Sequence, residues 1–244
     1  MAIAFVDSTH NSGNSNVSMT IPLTASAGQV AISITVADAG GGTATSSPPA
    51  GWTAITNGST IDFDDNERID SWYRVLQAGD PGTSGTWTNT DTGSQFFAAA
   101  ILVYSGVLTS SPIDVATHNT GSPSTNLVAS SLTPSQAGDM VIVAYGHSDS
   151  TSTSFTLSTT PAGTTQREVV PYVNNSNYGL WTGEQLLSGT GATGTYTGTL
   201  SSAFDWSALT ILLNPAPPAT VATNPPQPDS PSGGIFVIRS GAWN

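Results

Sequence analysis

The sequence feature that most restricts the fold of this chain is a run of nine apolar or aromatic residues, FFAAAILVY, at positions 96–104. Its short length, its aromatic and β-branched residues and the flanking Gly93 and Gly106 favour a β-strand over a helix. Because both alternating sets of side chains are apolar, the sequence predicts a central strand that is buried on both faces. A run of similar character, residues 204–213, follows about 110 positions later.

The rest of the composition predicts an all-β protein. Hydrophobic residues make up 37% of the 244 positions and charged residues only 8%, with 25 Gly and 16 Pro, which is typical of short strands joined by turns. The chain has no Lys and almost no Glu, and no segment keeps a 3.6-residue apolar period, so a helical fold is excluded. Apolar residues instead alternate with polar ones in two segments, at Val17, Met19, Ile21 and Leu23 and at Val30, Ile32, Ile34 and Val36.

An internal repeat indicates that one unit has been duplicated. Thr9-His10-Asn11 returns as Thr117-His118-Asn119, 108 positions later, and Ala27-Gly28 returns as Ala137-Gly138, 110 positions later. Further landmarks recur at nearly the same spacing, including the 96–104 run itself. We therefore expect two tandem β-sandwich units, jelly-roll or Ig-like, at residues 1–108 and 109–214. The alternative is one larger sandwich in which the two halves interleave.

Residues 215–244 differ from the rest and predict an extended C-terminal arm. Seven prolines fall within 17 positions of this segment: Pro215, Pro217, Pro218, Pro225, Pro226, Pro228 and Pro231. Such a sequence favours extended, polyproline-like chain. The last part, GGIFVIRSGAWN, predicts a short apolar strand, after which Trp243 would anchor the arm.

Charge and cysteine content exclude several classes of function. The net charge is −12 with four Arg and no Lys, so no basic groove for nucleic acid is expected. The chain has no Cys for disulfides or thiolate metal sites, and no apolar run long enough to cross a membrane. The first residues lack the pattern of a signal peptide, so we expect synthesis in a cytoplasm.

We find no catalytic motif and expect a non-enzymatic protein without a cofactor. No G-x-S-x-G nucleophile motif occurs, and the segment Gly146-His147-Ser148-Asp149 is interpreted as an ordinary loop. Glycoside hydrolysis needs two facing carboxylates, and the sequence places no two acids opposite one another.

The sequence only weakly indicates two possible metal sites. The cluster Asp62, Asp64, Asp65 and Glu67 offers oxygen ligands for Ca²⁺, but it lacks the Gly and the final Glu of an EF-hand loop, so a solvated acidic loop is favoured. His10 and His118 occupy equivalent repeat positions. We interpret them as part of the same turn in both units rather than as a paired metal site.

Aromatic residues have two interpretations. Most of the six Trp residues lie within strand patterns, which favours core packing over sugar-stacking platforms. Tyr172 and Tyr178 are the candidates for glycan contacts from loops.

Several segments resemble virion proteins of tailed bacteriophages. The segment GIFVIRSGAW at 234–243 is similar to virion segments in which a short strand ends in Gly-x-Trp. The segments PAGWT (49–53), SWYRV (71–75), AGDPGT (78–83), VYSGV (103–107) and SPID (111–114) resemble β-rich modules of minor tail, fibre and head-decoration proteins.

The resemblance implies a structural protein of the virion that is made in the host cytoplasm. We expect a decoration or cement protein on the capsid exterior, a homo-oligomer such as a trimer, with the major capsid protein or other virion proteins as partners. The arm would add a strand to a neighbour. Its expected contacts are Ile235, Phe236, Val237, Ile238 and Trp243. The alternative is a tail fibre or receptor-binding protein whose sandwiches bind host glycan.

Overall fold

The computed structural model describes residues 2–38, 46–61, 67–89, 96–149, 155–173 and 177–218, and these ranges confirm the all-β prediction. The first half contains β1 (Ala4–Gly13), β2 (Asn16–Thr20), β3 (Val30–Asp38), β4 (Ser46–Ser47), β5 (Thr53–Ile61), β6 (Glu67–Val75), β7 (Ser84–Asn89) and β8 (Phe97–Ser105). The second half contains β9 (Ile113–Ala129), β10 (Met140–Asp149), β11 (Thr165–Val173), β12 (Asn177–Leu186) and β13 (Tyr196–Leu213). None of these ranges includes a helix that could cross a membrane.

Each half is built around an antiparallel sheet of five strands, and the two sheets share one topology. The first major sheet has the order β1-β8-β3-β6-β5, and the second has β9-β13-β10-β12-β11. The registers also agree, since His10 lies opposite Ala100 while His118 lies opposite Leu209. Among the described strands, every ladder joins strands of the same half. The repeat in the sequence is therefore a repeat of structure, and the halves do not interleave.

A smaller outer layer completes each half as a sandwich. In the first half this layer is the sheet β2-β7-β4. In the second half the long strands β9 and β13 continue into the layer themselves, where residues 127–129 pair with residues 196–198. Each outer layer encloses a core against its major sheet, with Trp87 buried in the first and Trp181 in the second.

A third core joins the two halves, because the major sheets pack face to face. In β8, Ala98, Ala100 and Leu102 point into this central core, whereas the alternate residues Ile101 and Val103 point into the core of the first half. Residues 96–104 are all fully buried, so the predicted central strand is confirmed. Apolar side chains of both halves meet here. They include Ile32, Ile34, Ile69, Ile142, Leu180, Leu209 and Ile211.

Contacts between the halves come in reciprocal pairs, as in a dimer with two-fold symmetry. The edge strand β1 contacts β11, and its counterpart β9 contacts β5. Likewise β8 contacts β11 while β13 contacts β5, and β3 contacts β12 while β10 contacts β6. The single chain therefore folds as a pseudo-dimer of its two halves.

The repeated sequence landmarks have structural causes. Gly28 and Gly138 adopt positive φ angles of 80° and 92°, where residues other than glycine are strained. Their amides donate to the carbonyls of Leu76 and Leu187, at 2.9 and 3.0 Å. These hydrogen bonds align β3 with its neighbour β6 in the first half and β10 with its neighbour β12 in the second. Leu23 departs from the predicted alternation, since it follows the end of β2 and is 83% exposed.

The Thr-His-Asn repeat does not form the expected turn. It lies within strands β1 and β9, where Asn11 Nδ2 donates to the carbonyl of Ser18 at 2.9 Å. Asn119 Nδ2 donates in the same way to the carbonyl of Val128 at 2.8 Å. Each asparagine ties its strand to the segment that enters the outer layer.

Candidate functional site at the interface between the halves

The described part of the acidic cluster lies inside the protein. Glu67, at the start of β6, is fully buried and accepts a hydrogen bond from the Ser207 hydroxyl of the second half. Asp62, Asp64 and Asp65 lie outside the described residues. Within the described ranges, no group of three or more His, Asp or Glu side chains is arranged to hold a metal ion.

The two tyrosines that were predicted as glycan contacts belong to strands rather than loops. Tyr172 lies in β11 directly opposite Tyr178 in β12. The Tyr178 ring is half-buried and stacks on Phe96 of the first half, with ring centroids 4.3 Å apart. One face of Tyr178 is therefore covered by the protein itself. The predicted arm contacts, Ile235, Phe236, Val237, Ile238 and Trp243, all lie outside the described residues.

The two equivalent histidines bridge the halves at separate places. His10 Nδ1 lies 2.7 Å from Glu168 Oε2 in β11, and His118 Nδ1 lies 3.3 Å from the Asn57 carbonyl in β5. Each histidine therefore reaches from an edge strand of one half to the opposing edge strand of the other. The arrangement is that of two equivalent contacts rather than of one shared metal site.

A polar cluster fills the interface beside β1 and β11. The Arg167 guanidinium pairs with Glu184 of β12 and lies over the ring of Phe5, 4.0 Å from its centroid. The buried phenol of Tyr104 faces the same cluster from the first half. Burial raises the pKa of Tyr104 well above its usual range, and the Glu184 carboxylate adds to the effect. The tyrosine therefore stays neutral here.

The equivalent place on the other side of the pseudo-two-fold axis is an open groove. It lies between β5 and the start of β9 and has a volume of about 450 Å³. Tyr73 lies opposite Thr53 in the first half, and Glu184 lies opposite the equivalent residue Thr165 in the second half. Tyr73 therefore occupies the position of Glu184. Ile113 in turn occupies the position of Phe5. The groove is thus the counterpart of the place that Arg167 fills.

Different bulges explain why only one of the two places is filled. In β11 the register shifts between Gln166 and Glu168, and Arg167 is the residue that projects from this bulge. In β5 the shift extends from Ala54 to Ser59, a wider bulge in which Asn57 has a φ of 58°. The wide bulge curves the edge strand without supplying a long side chain, so a cavity remains.

The groove combines an apolar floor with a polar rim. Half-buried Tyr73 and Ile113 pack against the central core, and the rim includes the hydroxyls of Thr53 and Thr56. Asp114 is the one charged side chain among the residues that the structure places around the groove. The lining therefore favours an occupant with apolar surface and a positive charge.

A second carboxyl lies beside Asp114. Asp139 is fully buried, and burial, together with a smaller effect of the neighbouring Asp114, raises its pKa to about 7. Asp114 also accepts a hydrogen bond from the Ser135 amide at 2.7 Å. Asp139 therefore keeps its proton at mildly acidic pH, where an exposed aspartate has released it.

The segment that leads into the arm is anchored at the junction between the halves. The Asn214 amide donates to the Pro112 carbonyl and its side chain donates to the Ser111 carbonyl, both at 2.9 Å. The Ala216 amide then donates to the Gly106 carbonyl at 2.7 Å. Because Ser111 and Pro112 also line the groove, the arm begins beside it.

Comparisons with known proteins add no identification. Family models, curated proteins and solved structures give no match to this chain.

The segment 146–149 lies in β10 and not in a loop, and His147 is buried between the rings of Phe155 and Phe204. Sequence reasoning missed Arg167 and the groove. Their only sequence signal is the position of β5 and β11 in the repeat.

Proposed function

We propose that this protein is a non-enzymatic structural component of a tailed-phage particle. It would decorate the outside of the capsid as a homo-oligomer and clasp its neighbours through residues 215–244. Its partners would be the major capsid protein or other virion proteins, and no nucleic acid or membrane would take part. The proposal is supported by the segments that resemble virion proteins and by a rigid all-β body.

The anchored root of the arm carries the proposal. Backbone and side-chain hydrogen bonds fix Asn214 and Ala216 to the junction segment, so a pull on the arm is transmitted to a point between the two halves. The central core joins these halves through buried side chains of both major sheets. A body that resists deformation and a tether that leaves from a fixed point suit a protein that links subunits of a shell.

The distribution of charge fits an exterior position. Three of the four arginines pair with acids of the same chain, namely Arg68 with Asp70, Arg74 with Asp80 and Arg167 with Glu184. The chain has a formal charge of −12, and every arginine among the described residues has an acidic partner, so these residues form no positive patch. Such a surface repels nucleic acid and remains soluble at high local concentration.

Deletion of residues 219–244 tests the proposal. The shortened protein keeps the anchored root, and we expect it to fold but to leave bare phage heads undecorated, whereas the full chain covers them. Gel densitometry and direct imaging of the particles measure the number of copies. Full occupancy by the shortened protein would show that the arm is not the clasp.

A tail-fibre or receptor-binding function is the second candidate, and the groove favours it. An aromatic ring, Tyr73, together with hydroxyl groups of Thr53 and Thr56 is a common combination in sugar-binding sites. Binding of the full chain to a glycan array, lost in Tyr73→Ala, would support this function. Copy number separates the two functions, since hundreds of copies per particle indicate a head protein and a handful indicate a tail protein.

A further inference from the structure

We infer that the open groove between β5 and β9 is the acceptor for the arm of a neighbouring copy, and that Arg239 is the side chain that enters it. This inference rests on the proposed clasping function and assigns the site that the function requires. It is based on the pseudo-two-fold relationship between the halves, on charge and on the place where the arm begins.

The filled counterpart of the groove shows which group fits such a place. There, Arg167 lies with its guanidinium over an aromatic ring and beside a carboxylate, contributed by Phe5 and Glu184. Among the residues that line the groove, the aromatic ring is that of Tyr73, and the carboxylate is that of Asp114, which also accepts a hydrogen bond from the Ser135 amide. Both kinds of partner are thus present, with Tyr73 at the position of Glu184 and Asp114 next to Ile113, the counterpart of Phe5. A guanidinium can stack on the ring and pair with the carboxylate.

Charge restricts the choice of occupant. The chain has no Lys and four Arg, of which Arg68, Arg74 and Arg167 already have acidic partners within the described structure. Arg239 is the remaining arginine, and it follows the apolar segment IFVI in the arm. An extended segment with Arg239 and Val237 on the same side would place the charge at Tyr73 and an aliphatic side chain on Ile113.

The proline content of the arm favours a neighbouring copy over the same chain. The arm begins beside its own groove, and 21 positions separate Pro218 from Arg239. As extended chain this spacer would reach about 65 Å, and proline-rich spacers are semi-rigid. A spacer of this kind carries its end away from its root, so it reaches the groove of another molecule.

Cysteine trapping between full-length variants tests this assignment. The natural chain has no Cys, so Thr53→Cys at the groove and Ser240→Cys in the arm each introduce a single thiol. We expect the mixture of the two variants to form a covalent dimer under mild oxidation, visible on a non-reducing gel. Thr165→Cys is the matched control, because Thr165 is the exposed equivalent of Thr53 beside the filled place.

The contribution of Arg239 is measured in the same assay. Adding Arg239→Ala to the Ser240→Cys chain should reduce the initial rate of dimer formation about tenfold, as expected for the loss of one charge-assisted contact. Arg239→Lys should retain part of this rate. Equal rates for the Ala variant and the parent would overturn the role of Arg239. Melting temperatures of the variants verify that all of them are folded.

The remaining outcomes also decide the question. A dimer yield no higher than that of the Thr165→Cys control would overturn the groove as acceptor. A disulfide that forms only within a single chain carrying both Thr53→Cys and Ser240→Cys would overturn the assignment to a neighbouring copy. If trapping fails while deletion of 219–244 still abolishes decoration, the groove assignment is wrong and the clasping function stands. If trapping succeeds and the deleted protein still decorates heads, the clasping function fails.

Discussion

Glu67 in β6 accepts a hydrogen bond from Ser207 in β13, although 140 positions separate the two residues in the sequence. Both are fully buried where the two major sheets meet. Gly146 of β10 lies against the same pair, and a Cβ atom added there would be 2.2 Å from Glu67 Oε1. The position of this carboxylate therefore depends on the second half of the chain.

Ser207→Ala should lower the free energy of unfolding by about 1–3 kcal/mol, because the buried carboxylate loses a hydrogen-bond donor that water cannot replace there. Urea denaturation measures the difference. Ser18→Ala, on the exposed side of β2, is the control and should change stability by less than about 0.5 kcal/mol. Equal effects of the two substitutions would contradict the importance of the buried contact.

Gly146→Ala should destabilise the protein by about 1–3 kcal/mol, since the new methyl group would overlap Glu67 and Ser207. Gly79→Ala is the matched control, because nothing lies within 4 Å of a Cβ atom at that position. Thermal unfolding of the two variants gives the comparison. A Gly146→Ala protein as stable as the control would mean that the halves are less tightly packed than described.

Arg167→Ala should cost about 1–3 kcal/mol, because Glu184 is buried and would lose its cationic partner while Phe5 would lose the guanidinium above its ring. Arg167→Lys keeps the charge but not the planar group, so we expect an intermediate stability. Denaturant titration of the three proteins gives the order. Wild-type stability in both variants would show that the cluster contributes nothing.

Stability should depend on pH through Asp139. The folded-state pKa is raised to about 7 from an ordinary value of 3.8, so between about pH 4 and pH 7 the folded protein keeps a proton that the unfolded chain has released. The free energy of unfolding should therefore fall as pH rises through this window and level off above it. Asp139→Asn should remove this part of the pH dependence. An unchanged slope in the variant would assign the dependence to other groups.

The two halves should unfold in one cooperative transition, because the central core contains side chains from both. In calorimetry, the calorimetric and van't Hoff enthalpies should agree. A fragment of residues 1–108 would expose the inner face of its major sheet, and we expect it to self-associate or to remain unfolded. Two separate transitions, or a monomeric folded fragment, would contradict a shared core.

The sequence was sufficient for the strand at 96–104, the all-β class and the duplication. These follow from local patterns: an apolar run on both faces, and glycines that repeat because Gly28 and Gly138 occupy the same turn. The apolar run at 96–104 also indicates that the two halves pack against each other. A sandwich covers only one face of its major sheet by its own outer layer, so a strand that is apolar on both faces requires a second cover.

The interface itself could not be read from the sequence, because it depends on contacts between distant positions. Nothing near Glu67 in the sequence indicates that Ser207 would approach it, and its acidic neighbours suggested a solvent-exposed loop. Arg167 was equally hidden, since its role depends on a bulge that shifts the register of β11. The sequence predicts Tyr178 as a loop residue, whereas it lies in β12 and stacks on Phe96, a contact between distant positions.

In the proposed assembly, the difference between the two bulges sets the number of arms that each molecule binds. Two identical subunits would present two identical grooves, whereas here Arg167 fills one place and leaves one open groove among the described residues. Contacts with one donor and one acceptor are head-to-tail, and they close into rings or continue as open chains according to the rotation at each step. If the proposed arm contact forms, replacing Arg167 should alter the stoichiometry of assembly as well as the stability of the fold.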